Sequence, residues 1–446
     1  MPTPLRRLLV RLPVPLTLFA LYTAVSVNRH RSMLTSGFDL GIFTQAVRGY
    51  AELRAPVAEL KSPGFALLGD HFHPVLALLA PLYRLWPSPV TLLVAQAALL
   101  ALSAVPVTTL ATERLGRLAG TSLGLAYGLS WGIQGAVGFD FHEIAFAVPL
   151  LAMSLTRLAR GHHLATALWA LPLLLVKEDQ AATVAAIGVL LLLRGSRRLG
   201  AALTAVAALA GFLLITVVIP AMNPLGTYEY LHSARGHGEN PFARLLLPLD
   251  KAWLPLALLA PTLLLAARSS IALIAVPTLL LRMWSANESY WGTGFHYSAV
   301  LMPVVFTAML DARVRHRLIA HAALAVALAW TATGLPLREA VTPDAWRVPS
   351  PVTTTETVLA LIPEGTAVAA DNRFAAALTA RHTVYLFPTH PSQGIRPEWV
   401  AVSDPPGRSP LPAAENLAAR EALPGRGYLL VAGAPGIRLY RLPPPG

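Results

Sequence analysis

The sequence contains no cysteine, which excludes disulfides, thiolate nucleophiles and cysteine-ligated zinc or iron–sulfur centres. It is also short of charge: Asp, Glu, Lys and Arg make up 13% of its residues, where a soluble protein carries about 25%. Acids are scarcer than bases, 23 against 35, which leaves a net charge of +12. In a soluble protein that balance would point to nucleic acid. Here the arginines stand in short clusters between apolar runs, as membrane topology is encoded, so no nucleic-acid partner is expected. No internal repeat and no long linker is visible.

What is abundant is apolar: 55% of the 446 residues are hydrophobic, and the mean hydropathy is +0.56. A helix crosses the hydrocarbon of a bilayer in roughly twenty residues. Runs of Leu, Ala and Val place spans near 8–27, 88–110, 118–138, 144–158, 164–176, 181–194, 199–220, 252–267, 270–284, 297–310 and 318–335. The first is read as a retained signal anchor. The short apolar stretch 74–86 is read as a re-entrant or interfacial piece. The expected fold is therefore an all-α polytopic membrane protein of roughly eleven transmembrane helices.

Arginine clusters orient these spans. With the N-terminus inside, the short inner segments carry Arg6 and Arg7, Arg114 and Arg117, Arg157 and Arg160, Arg194, Arg197 and Arg198, Arg268, and Arg313, Arg315 and Arg317. Arg29, Arg31, Arg48, Arg54 and Lys61 oppose this in the long first outer loop, 28–87, without reversing the total. The expected location is a bacterial plasma membrane with a cytoplasmic N-terminus. The transmembrane domain runs over 1–335. From Pro336 the texture turns to Pro, Gly and charge, with β-like runs at Ala367–Ala370, Thr383–Phe387, Trp399–Val402, Tyr428–Val431 and Ile437–Leu442. Helical pieces are expected around Thr354–Leu361 and Glu415–Ala422. Residues 336–446 are thus read as a small extracytoplasmic α/β domain.

Twelve of the fourteen acids before Pro336 fall on the outer side, with Glu113 and Asp311 the exceptions. Acids carry little topological weight, and a carboxylate near a bilayer is costly unless it faces water, a partner or a ligand. Gathered on one face, they suggest a shared aqueous cavity. Asp39, at the head of an interfacial helix in Phe38-Asp39-Leu40-Gly41-Ile42-Phe43, is either a helix cap or a base at the cavity mouth. Asp70-His71-Phe72-His73 holds a His-x-His pair that admits a divalent metal, with Asp70 as third ligand, or polar groups hydrogen-bonded at the interface. Asp140, His142 and Glu143 sit in a tight hairpin between spans, which reads equally as a solvated turn. Lys177-Glu178-Asp179 breaks two short apolar arms, and three ionisable groups there are expensive unless paired or functional. Lys177 would face an anionic phosphate, and one acid a cation or sugar hydroxyls. Loop 221–250 adds Tyr228, Glu229, Tyr230, His232, Arg235, His237 and Glu239. Loop 284–297 adds Trp284, Asn287, Glu288, Tyr290, Trp291, His296 and Tyr297. Such aromatics suit sugar rings and an interfacial belt alike.

In order, FDLGIF-x-Q, HF-x-P before LLAPLYRL, FH-x-x-A-x-A-x-P-L, and KED ahead of an apolar span resemble the bacterial multi-pass membrane family known as domain of unknown function 2079. The likeness covers roughly residues 35–310. That family is similar to the GT-C superfamily of glycosyltransferases, which use polyprenyl-phosphate-linked sugars. The resemblance implies a GT-C-like fold and transfer of a sugar from a polyprenyl-phosphate donor to an extracytoplasmic acceptor. Asp39 takes the first-loop acid position, with Asp70 the second choice of base. Asp140 and Lys177, Glu178 and Asp179 would line the same cavity, and the loop groups read above, His71, His73, His142, Glu143, Tyr228, Glu288 and His296, are candidates for substrate contact. A transporter or lipid flippase and a non-catalytic scaffold stay open as other classes. The sugar, the acceptor, any metal and the oligomeric state are not encoded legibly.

Overall fold

A computed structural model describes residues 12–230, 241–312, 316–389 and 392–444. Arg6, Arg7, Arg313 and Arg315 lie outside the described residues, as do His232, Arg235, His237 and Glu239. The described chain is mostly helical, with one small sheet near its C-terminus.

The main helices are α1 (Pro13–Arg31), α2 (Ile42–Ala51), α3 (Pro89–Leu115), α4 (Arg117–Gly128), α5 (Ala147–Leu158), α6 (His163–Ala170), α7 (Gln180–Leu193), α8 (Arg197–Leu213), α9 (Val276–Trp284), α10 (Leu301–Asp311) and α11 (Arg317–Ala332). Ser88 caps α3 by accepting the Val90 N–H at 3.2 Å, Pro89 presets its first turn, and Gly116 at φ 84° ends it. α4 then returns along α3 at close range, because a Cβ on Gly124 would lie 2.1 Å from Thr108 Oγ1. Small residues buy this approach where hydrocarbon gives helices no hydrophobic reason to pair. α1 is tied to the same layer by Tyr22, whose hydroxyl donates to Gly128 O at 2.7 Å.

Among the described residues two helices are long and apolar enough to cross a membrane, Pro89–Leu115 and Arg197–Met222. The second is only 28% buried and turns Leu209, Phe212 and Val217 outward, a surface suited to lipid. Other expected spans are shorter or interrupted, so helix length alone does not carry the count of eleven. The run 118–138 divides at Leu129 and Ser130 into α4 and Trp131–Val137. The span expected at 252–267 breaks at Leu263 and Leu264, both left-handed at φ 52° and 61°. Residues 74–86 form a 3-10 turn, Pro74–Leu79, and a short helix, Ala80–Leu85, packed on α2.

The five strands fall close to where the sequence puts them: β1 (Ala367–Ala370), β2 (Thr383–Leu386), β3 (Trp399–Asp404), β4 (Leu429–Ala434) and β5 (Gly436–Arg441). Their order is β2-β1-β3-β5-β4. β1 runs parallel to β2 and β3, while β5 is antiparallel to β3 and β4. The two expected helices appear at Ser350–Leu359 and Ala413–Glu421, and a third, Asn372–Leu378, was not anticipated. This third helix seats the sheet on the loop that follows α1. A Cβ on Gly37 would lie 2.3 Å from Ala375 Cβ, and Phe38 N–H donates to Asn372 Oδ1 at 2.7 Å. Gln45 on α2 donates to Val384 O at 2.9 Å. The apolar core accordingly runs without a break from the helices through Leu40 and Leu60 into Phe374 and Val384.

Candidate functional site

The polar segments noted in the sequence meet at one end of the helices. Gln96, in an early turn of α3, holds the 138–143 hairpin in place. Its Nε2 donates to Ala136 O at 3.0 Å and Asp140 O at 3.2 Å, and its Oε1 accepts from His142 N–H at 3.0 Å. From the first loop Ser36 reaches the same hairpin, its N–H and Oγ lying 2.8 and 2.6 Å from Asp140 Oδ2. Burial and the neighbouring Asp39 charge raise Asp140 to about 6, against the hydrogen bonds from Ser36. Asp39 does not cap α2. Its Oδ2 lies 3.0 Å from Ser36 Oγ, whose one proton serves Asp140 at the shorter distance, and its Oδ1 lies 3.3 Å from His142 Nε2.

His142 bridges two acids, because its Nδ1 is 3.4 Å from Glu143 Oε2. Burial opposes a charged imidazole, but Asp39 and Glu143 outweigh it and lift His142 to about 9. Its ring is stacked on that of His296 at 3.5 Å and 19°. Burial first, then the His142 charge, holds His296 well below the ordinary histidine range, so the stack joins an imidazolium to a neutral imidazole. Glu143 is 1% exposed and meets Lys177 Nζ at 3.0 Å. Burial disfavours both charges. Lys177 and His142 nonetheless hold Glu143 well below the carboxylate range, and Glu143, Asp179 and Glu178 hold Lys177 well above the usual lysine value.

A second network lies on the other side of Lys177. Glu178 Oε1 accepts from His71 Nδ1 at 2.6 Å and from the Tyr228 hydroxyl at 2.8 Å, while Oε2 accepts from Phe72 N–H at 3.0 Å. These donors and the charges of His71 and Lys177 overcome burial and bring Glu178 down to about 2. Asp70 pairs with Lys61 and accepts from the Tyr230 hydroxyl at 3.4 Å. The Tyr230 ring stacks on His71 at 4.5 Å.

Between these networks and the loop after α9 lies a cavity of about 530 Å³. Of the residues expected there, His71, Lys177, Glu178, Asp179, Tyr228 and His296 line it. Asp179 accepts from Gln180 Nε2 at 3.1 Å, and burial raises its pKa. Asp39, Asp140, His142 and Glu143 do not themselves line it but join its wall through His296 and Lys177, and Asp39 is the most exposed of the four. Asp70 stands behind Tyr230. His73 is buried with its ring edge-on to Phe43 at 5.8 Å, and burial lowers it to about 4. Glu288 is exposed and is not part of the wall. On one side the cavity is bounded by Thr278, Leu281 and Trp284 of α9, where Leu280 and Leu281 are about half exposed.

The His-x-His pair does not converge on a metal, since His71 turns to Glu178, His73 to Phe43, and Asp70 is taken by Lys61. Among the described residues no group of three or more histidines or acids has the arrangement of a metal site.

Four positions carry the site without having been singled out: Ser36, Lys61, Gln96 and Arg282. Arg282 is buried in α9 and donates to Tyr290 O at 2.5 Å, Ser298 Oγ at 3.0 Å and Gly292 O at 3.2 Å, which fixes the loop over the cavity. A lone amide in the 88–110 run and a lone arginine in the 270–284 run were the available signals, because polar groups in such runs are expensive unless they serve something.

The chain belongs to the family described as Predicted membrane protein (DUF2079), whose sequence model matches residues 29–437. No curated protein matches it. Among solved structures it is similar to the crystal structure of ArnT from Cupriavidus metallidurans bound to undecaprenyl phosphate. The TM-score is 0.53 at 14% identity, with 94% of this chain and 97% of that chain covered. This is a membrane protein family with an ArnT-like fold.

Proposed function

We propose that this protein is a GT-C-type membrane glycosyltransferase that moves a sugar from a polyprenyl-phosphate donor to an extracytoplasmic acceptor. In this reading roughly eleven helical segments span the bacterial plasma membrane, the N-terminus is cytoplasmic, and residues 336–446 form an outer domain. The observation that carries it is a partly buried lysine paired with a buried glutamate, Lys177 with Glu143 at 3.0 Å. Lys177 stands on the wall of a cavity bordered on one side by the apolar face of α9, in a fold like that of ArnT, whose structure holds undecaprenyl phosphate. An ammonium there suits a lipid phosphate, and α9 suits the first carbons of its chain.

Asp39 is the base. Its carboxylate is partly exposed and meets Ser36 and His142, whereas Asp70 is already taken by Lys61. Asp39 removes the acceptor hydroxyl proton as that oxygen bonds to the anomeric carbon. The bond from that carbon to the phosphate oxygen breaks, and the electron pair leaves with the polyprenyl phosphate beside Lys177. Tyr228, Glu178, Asp179 and His296 contact the sugar. The test is transfer from polyprenyl-phosphate sugars by the purified full chain in lipid nanodiscs. Asp39→Asn is expected to lower the rate about 10²–10⁴-fold with the fold intact. A wild-type chain that transfers no sugar from any such donor, or an Asp39→Asn variant of normal rate, would overturn the reading.

A further inference from the structure

Asp39 and Lys177 sit on different elements, one on the first loop and the other between α6 and α7. Between them runs an unbroken line of close contacts. Asp39 Oδ1 is 3.3 Å from His142 Nε2, His142 Nδ1 is 3.4 Å from Glu143 Oε2, and Glu143 Oε1 is 3.0 Å from Lys177 Nζ. The backbone under His142 and Glu143 is held by Gln96 from α3. The His142 ring cannot swing freely: it is stacked on His296 at 3.5 Å and meets Phe43 edge-on at 5.1 Å.

We propose that His142 is a positioning residue that couples the Asp39 base to the Lys177 phosphate anchor, setting the spacing between the site that accepts the proton and the site that holds the leaving group. This rests on the transfer reaction proposed above. A histidine is suited to the task because it alone offers two ring nitrogens on opposite edges, one for each carboxylate. Neither lysine nor glutamine bridges two acids with a rigid plane. His142 has no step of its own in the transfer. It holds Asp39 Oδ1, which leaves Oδ2, 3.0 Å from Ser36 Oγ, for the acceptor hydroxyl, and it steadies Glu143 against Lys177. The other charged or titratable groups around it are Asp140 on its own hairpin, His296 on the loop after α9, and Lys177 beyond Glu143.

The proposal predicts coupling rather than mere importance. In a double-mutant cycle of Asp39→Asn and His142→Gln, the full chain in nanodiscs is measured for kcat, KM and melting temperature. His142→Gln alone should lower kcat about 30-fold or more while KM for the donor stays within about three-fold, since Lys177 remains in place. Added to Asp39→Asn it should lower kcat little further, and the two shifts in melting temperature should be non-additive. His142→Asn replaces the glutamine variant if that one fails to fold. Additive losses in kcat, or a His142→Gln defect confined to KM, would overturn the coupling. If the wild type transfers nothing, the glycosyltransferase reading fails by itself. The melting cycle then still decides the link, with additive shifts refuting it and non-additive shifts supporting it.

Discussion

Two carboxylate networks flank Lys177, and they balance charge by different means. Toward the second loop, Glu178 collects a histidine, a tyrosine hydroxyl and a backbone N–H, and Asp70 has its own lysine, Lys61. That side is closed on itself. Toward the first loop, Asp39, His142, Glu143 and Lys177 share charge along a line, so no member is neutralised without affecting the next. A self-contained network holds structure in place. A chained one can pass the effect of a ligand at one end to the other, which is why the chemistry is assigned to the first-loop side.

The sharpest break in this contrast is Lys177→Met. It takes from Glu143, 1% exposed, the nearer of its two cations and leaves only His142, and removing one partner of a buried pair costs up to about 3–5 kcal/mol. Affinity for undecaprenyl phosphate should fall about 10–100-fold, the loss of one charge-assisted contact. Adding Glu143→Gln should restore the melting temperature but not the affinity. Lys61→Met, which leaves Asp70 in a more accessible place with its Tyr230 contact, should cost less stability and leave lipid affinity unchanged. Equal losses in both variants would erase the distinction between the networks.

Acidity and alkalinity should separate them next. Glu178 is lowered from 4.5 to about 2, so its stabilisation is present above the unfolded value and is lost as pH falls toward 2. His142 is raised from 6.5 to about 9, so its contribution is full below 6.5 and is lost as pH rises through 9. Melting temperature measured from pH 3 to 10 should decline at both ends. Glu178→Gln should flatten the acid limb and His142→Gln the alkaline one, each leaving the other in place.

Much of this was legible in the sequence, and the reason is periodicity and cost. Strands at 383–386 and 399–404 announced themselves by short β-branched and aromatic runs, and the one at 367–370 by a short apolar run after the Pro-Glu-Gly turn. The acids announced themselves by being expensive where they stood. What stayed hidden was partnership. Nothing local says that Ser36 meets Asp140, 104 residues away, or that His71 takes Glu178 rather than a metal. Lengths misled as well, because an apolar run such as 252–267 reads as one helix until the left-handed Leu263 and Leu264 divide it. Helix Asn372–Leu378 was missed because its alanine-rich face is buried against the first loop rather than patterned for water.

Gln96 lies behind the first-loop side, and Gln96→Leu should weaken that side specifically. The change removes two donated bonds and the acceptor for His142 N–H inside a buried setting. Each group left unsatisfied there costs about 1–3 kcal/mol. The measurable consequence is a lower kcat with KM for the donor nearly unchanged, since the hairpin carries His142 and Glu143 whereas Lys177 stands on a different segment, between α6 and α7. A KM defect instead would mean that the hairpin touches substrate directly.

The smallest expected effect belongs to Glu288. It is exposed, opens the four-residue helix Glu288–Trp291, and does not line the cavity, although its neighbours Asn287 and Tyr290 do. Glu288→Gln should change stability by less than about 0.5 kcal/mol, as for surface substitutions away from packed features, with kcat and KM unchanged. The loop that carries it is anchored by Arg282 through Tyr290 O and Gly292 O, which fixes Glu288 facing outward. A rise in KM for the glutamine variant would therefore require this loop to release its arginine contacts when donor binds. Arg282→Lys, which cannot keep the same fork of bonds, should then mimic that KM change; if it does not, the Glu288 effect has another origin.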